Sequence, residues 1–111
     1  MNTVTKFPPI RLQATAMGLS TWLGRAAPGD TFEYHRGFLA VDTMPHAERL
    51  PDRDRAALIR VAGLAYRAAD RGLVHLVQRR HGENDFSYIA IARRRPRLAT
   101  ASLADVLAQA A

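Results

Sequence analysis

Arg49, Arg53, Arg60, Arg67 and Arg71 recur at steps of four and seven residues through the middle of the chain. A helix turns about 100° per residue, so these steps bring all five to nearly one side. The opposite side would be Leu58, Val61, Ala62, Ala65 and Ala69, a face of mostly small apolar residues suited to close packing. Asp52 is a reasonable N-cap with Asp54 in the first turn, and Gly72 is a natural stop. The spacing therefore predicts one long helix over residues 52–71. Immediately afterwards Leu73 to Arg80 and Phe86 to Arg93 read as two strands, separated by a Gly-containing loop at 81–85.

The rest of the chain supplies what a lone hairpin lacks. Leu12, Ala16, Leu19 and Leu23 form an apolar stripe, which predicts a first helix from about Arg11 to Ala26, closed by Pro28-Gly29. Thr31 to Arg36 alternates, with Phe32 and Tyr34 inward, and reads as a strand able to join the hairpin as a third member. Phe38 to Val41 fits either a strand continuation or a helical turn, and Pro45 and Pro51 leave room for one turn or a loop between them. Ser102 followed by Asp105 resembles a capping box ahead of a terminal helix at Leu103 to Ala110. The expected fold is α+β, with helices packed on a small three-stranded antiparallel sheet. Residues 1–10 read as an extended arm, 11–97 as the domain and 98–111 as the C-terminal helix.

The order of these elements, with the run Ala68-Ala69-Asp70-Arg71-Gly72-Leu73-Val74, resembles the winged helix-turn-helix family over about Arg11 to Arg95. More loosely, the chain is similar to small proteins of proteobacterial and prophage genomes. The family resemblance implies that the long helix ends in Gly-Leu-Val and opens a wing hairpin. It also implies two helices between the first strand and the wing, the first of them squeezed into about Thr43 to Leu50. Its implied partner is double-stranded DNA.

Charge points the same way. The 111 residues carry a net charge of +6, and fifteen of the sixteen basic residues are arginine. From Arg53 to Arg97 there are eleven arginines against four acids. A GC-rich genome explains the excess of arginine over lysine, but explains the clustering less well. Arginine's planar fork matches phosphate. Candidate nucleic-acid-binding residues are Arg53, Arg60, Arg67 and Arg71 on the helix, Arg79 and Arg80 at the hairpin tip, and Arg93, Arg94, Arg95 and Arg97 beyond it. A solvated helix face is the plain alternative, although such faces usually mix signs. The other functional expectation is an interaction module whose arginines dock on an acidic protein. The terminal helix is a candidate contact for a homodimer.

Other classes find little support. There is no cysteine, no Gly-rich phosphate loop and no nucleophile motif. The histidines His35, His46, His75 and His81 lack helical ligand spacing, so they are expected to be structural or exposed. No catalytic residue, cofactor or metal is expected. The absence of cysteine and of a long apolar run makes a cytoplasmic protein the simplest expectation.

Overall fold

A computed structural model describes residues 14–94 and 106–108. Within them the chain forms helix α1 (Ala16–Arg25), strand β1 (Thr31–Gly37), helix α2 (Leu39–Asp42), a 3-10 turn at Pro45–Ala47, helix α3 (Asp52–Asp70), and strands β2 (Val74–Gly82) and β3 (Asp85–Ala92). Residues 106–108 are helical, and the rest of the expected terminal helix lies outside the described residues. The strands make one antiparallel sheet in the order β1-β3-β2. The α+β class expected from the sequence is the class observed.

Each helix is set by local chemistry. Thr15 caps α1, its hydroxyl accepting from Gly18 N–H at 2.9 Å. Helix α3 begins one residue earlier than a capping Asp52 would allow: Pro51 is the cap and Asp52 is the first helical residue. Asp52 and Asp54 still favour this end, because carboxylates complement the positive pole of the helix. At the other end Gly72 takes φ 76°, which a side chain would resist. Leu73 N–H then bonds Ala68 O at 2.9 Å and Gly72 N–H bonds Ala69 O at 3.0 Å. This is a Schellman closure, and it reverses the chain directly into β2.

The core lies between the helices and one face of the sheet. Leu19, Leu23, Leu64 and Leu73 are fully buried among Trp22, Tyr34, Val61, Val74, Tyr88 and Ala90. The inner face of α3 is Leu58, Val61, Leu64, Ala65 and Ala68. Leu64 and Ala68 therefore replace the expected Ala62 and Ala69, which are only half-buried. The hairpin also runs further than expected. Gly82 pairs with Asp85 across a turn of just Glu83 and Asn84, with Asn84 in the left-handed region at φ 57°. Asparagine tolerates that conformation, so the turn closes without a longer loop.

Candidate nucleic-acid interface

The direction of α3 fixes where its arginines lie. Strand β1 ends with Gly37 opposite Phe86, beside the hairpin turn. Phe38 packs edge-on against Phe86 at 5.5 Å, and Leu39 N–H donates to the Tyr88 hydroxyl at 3.0 Å. Arg49 reaches Asp42, which is itself bonded to His35. The chain thus enters α3 over the turn-proximal half of the sheet. It leaves at Leu73, whose carbonyl accepts from Arg93 N–H at 3.0 Å at the far end. Nineteen residues of helix rise about 28 Å, close to the length of the nine-residue strand β2 beneath.

The expected basic residues therefore run along the domain rather than gather at one point. Arg79 and Arg80 lie on β2 just ahead of the turn, Arg53 follows the start of α3, and Arg60 lies midway. Arg67 and Arg71, with Arg93 and Arg94, occupy the far end. Arg95 and Arg97 lie outside the described residues. The helix arginines do not stand opposite the core. Counting about 100° per residue from the buried stripe puts Arg53, Arg60, Arg67 and Arg71 on its flank. Arg53 and Arg60 are exposed, whereas Arg67 and Arg71 are half-buried. Arg67 folds back across Gly63, and its Nε is buried without a hydrogen-bond partner. At the tip Arg80 Nε donates to Gly82 O at 3.2 Å, and Arg79 sits on the other face of β2.

What separates these arginines from the rest is the fate of the carboxylates. Arg36 makes a two-point bond to Asp85, at 2.7 and 2.9 Å, tying the end of β1 to the turn. Arg55 pairs with Asp52 at 2.8 Å, one helical turn away. Arg49 turns inward to Asp42 at 3.3 Å instead of extending the stripe. It precedes Pro51 and the helix, so no helical period connects it to Arg53. Among the described residues, Arg53, Arg60, Arg79, Arg93 and Arg94 make no ion pair.

Asp42 has no motif or spacing around it that would single it out in the sequence. It is fully buried, with His35 Nε2 at 2.7 Å from one carboxylate oxygen and Phe38 N–H donating to the same oxygen at 2.9 Å. Burial pushes its carboxyl up, but the bonds from His35 and Phe38, the His35 charge and the Arg49 bond outweigh that and hold it below the ordinary value. Tyr88 is pushed up by burial and by the nearby Asp42 charge, against the lowering effect of the Leu39 N–H bond. A bulge between Glu33 and His35 turns Tyr34 and His35 both inward, which breaks the alternation that a regular strand would keep. The cluster lacks an exposed face at which a substrate could meet it: the His35 and Asp42 side chains are 1% and 0% exposed. It locks the β1–α2 corner.

Among the described residues no group of three His, Asp or Glu side chains could hold a metal ion. No described helix is long and apolar enough to cross a membrane. Comparison with family models, with curated proteins and with solved structures finds no match for this chain.

Proposed function

We propose that this is a small duplex-DNA-binding protein, a regulator or accessory factor, that holds DNA chiefly by arginine–phosphate contacts in a winged-helix-like arrangement. The observation that carries this reading is a set of exposed arginines without a carboxylate partner, while Asp42, Asp52 and Asp85 are held by Arg49, Arg55 and Arg36. Arg53, Arg60, Arg79, Arg93 and Arg94 are exposed and make no ion pair among the described residues. Cations left uncompensated along a surface attract a polyanion, and each phosphate neutralised releases a counterion. The spread of Arg53, Arg60, Arg93 and Arg94 suits a ligand that presents a phosphate every 3.4 Å along each strand better than it suits a compact anion, and Arg79 stands apart on the sheet face turned from α3. The order of elements supports the same reading. A helix, a strand, a short helical segment, a long helix and a hairpin follow one another, with β3 between β1 and β2. In this reading α3 is the helix offered to the groove and the β2–β3 hairpin is the wing.

Anisotropy of a labelled duplex over a salt series tests this. Affinity should fall steeply with salt. Arg53→Ala with Arg60→Ala should flatten the log–log slope by about 0.9 for every phosphate that no longer meets an arginine. No binding at low salt, or binding indifferent to salt, defeats the reading. A second reading, docking on an acidic protein, is favoured by one observation: large apolar side chains stand in solvent on the same helix as Arg53 and Arg60.

A further inference from the structure

Ile59 and Tyr66 project from α3 with 50% and 70% of their surfaces exposed. Ala56 and Gly63 complete a series, 56–59–63–66, with the alternating three- and four-residue spacing of a coiled-coil seam. This ridge points away from Leu58, Val61, Leu64, Ala65 and Ala68, the stripe that already anchors α3 to the core. One buried stripe is enough to hold a surface helix, so a second apolar ridge is not needed for folding. Its relief is uneven: Ile59 and Tyr66 stand as knobs, Ala56 is small and exposed, and Gly63 is overlain by the flexible end of Arg67.

The borders of the ridge choose its occupant. In coiled-coil terms Arg53, Arg60 and Arg67 fall at the positions on one side of the seam, and Arg55, Ala62 and Ala69 on the other. A second copy fits badly. Antiparallel pairing would set the arginine row against its own symmetry mate. Parallel pairing would set Arg60 against Arg55 and Arg67 against Ala62. Neither arrangement offers a carboxylate along the seam's borders. We infer that the ridge docks an amphipathic helix of a partner protein, with apolar residues on its seam and Asp or Glu along its flanks. The arginines then supply the sign selection and Ile59 with Tyr66 supply the buried anchor. The inference rests on the second reading above and not on DNA binding, although both draw on Arg53 and Arg60.

The test uses the full chain and two labelled three-heptad peptides. Both have Leu at the seam positions; one has Glu along its flanks and the other Lys. Like charges keep each peptide from pairing with itself. The Glu peptide should bind, and the Lys peptide should bind at least about tenfold more weakly. Replacing Ile59→Ser and Tyr66→Ser together should weaken the Glu peptide about tenfold or more while helix content stays the same, since both side chains are exposed. The salt slope of duplex binding should not flatten in that variant, because no arginine is removed, so a failed DNA reading and a failed docking surface give different results. Three results overturn the inference: no binding of either peptide, equal binding of the Glu peptide by the double-serine variant, or a native dimer in sedimentation that the variant dissolves.

Discussion

Arg49 and Arg60 lie eleven residues apart in the chain and are put to opposite uses. Arg49 turns inward beside the β1–α2 corner, where Asp42 is fully buried and shared among Arg49, His35 and the Phe38 N–H. Arg60 stands exposed on α3 and makes no ion pair among the described residues. The difference is made by the acids. Where a carboxylate is buried, the neighbouring cation is fixed to it and becomes part of the fold. Where no carboxylate lies within reach, the cation is left to whatever anion arrives from outside. The two regions should therefore answer mutation in opposite ways, the corner through stability and the flank through binding.

The corner should break most severely at its centre. Asp42→Ala leaves His35 and Arg49 facing a void and strips the Phe38 N–H of its acceptor. Removing one partner of a buried ionic cluster costs about 3–5 kcal/mol, readable as a shift in the urea midpoint. If the loss were under about 1 kcal/mol, the corner would be no more structural than the flank.

Gly37 should come next. It holds φ 148°, and a Cβ built there would lie 2.5 Å from an Asp42 carboxylate oxygen. That oxygen is held by two hydrogen bonds and cannot step aside cheaply. Gly37→Ala therefore combines backbone strain with a clash, and should destabilise by about 2–3 kcal/mol in the same urea measurement.

The same carboxyl gives the corner a pH dependence. Its folded value is lowered, so its contribution to stability is fully present above the unfolded carboxylate range, about pH 4. The contribution is lost as pH falls through the lowered folded value. Urea midpoints measured from pH 6 to pH 2 should stay level with respect to this group until about pH 4 and then drop. Asp42→Asn should start lower and lack that part of the drop. An unchanged acid limb in the variant would place the acid sensitivity elsewhere.

Why the flank is legible in the sequence and the corner is not follows from how each is built. The long helix, its Gly72 stop, the hairpin and the order of elements rest on local periodicity and turn chemistry, and these appear in the expected order, with a tighter hairpin turn. The phase of α3 is less clear, because Ala62, Ala65, Ala68 and Ala69 let an apolar face be drawn in more than one way. The sheet and α1 decide that Leu64 and Ala68 go in. His35 and Asp42 meet through a bulge, a glycine at positive φ and a four-residue helix, none of which has a strong signature. The nearest sequence signal is Gly37 interrupting an alternating strand. Arg49 misleads for a related reason: its spacing to Arg53 is helical, but Pro51 separates it from the helix.

On α3 itself, Gly63 is a position where a small gain in stability is expected. A Cβ there would come within 3.2 Å of an Arg67 guanidinium nitrogen. That group ends a flexible side chain whose Nε has no partner, so it can move by a few tenths of an ångström. Gly63→Ala removes the entropic penalty of glycine inside a helix and should stabilise the protein by about 0.5–1 kcal/mol in thermal unfolding. A net loss would mean that Arg67 is held more firmly than its unpartnered Nε suggests.

The smallest effect on stability belongs to the flank. Arg53→Ala and Arg60→Ala remove exposed side chains that make no ion pair among the described residues, so each should change the unfolding free energy by less than about 0.5 kcal/mol. Alanine's better helix propensity works in the same direction as the relief of like-charge repulsion along the row, which makes a slight rise as expected as no change. The contrast between the two regions is sharpest when Arg49→Ala is measured beside them, because it has the same chemistry but faces a buried carboxylate. If Arg60→Ala were as costly as Arg49→Ala, the division between fixed and available arginines would fail. If it costs nothing and still flattens the salt dependence of duplex binding, the unpaired charge on α3 is serving an external anion.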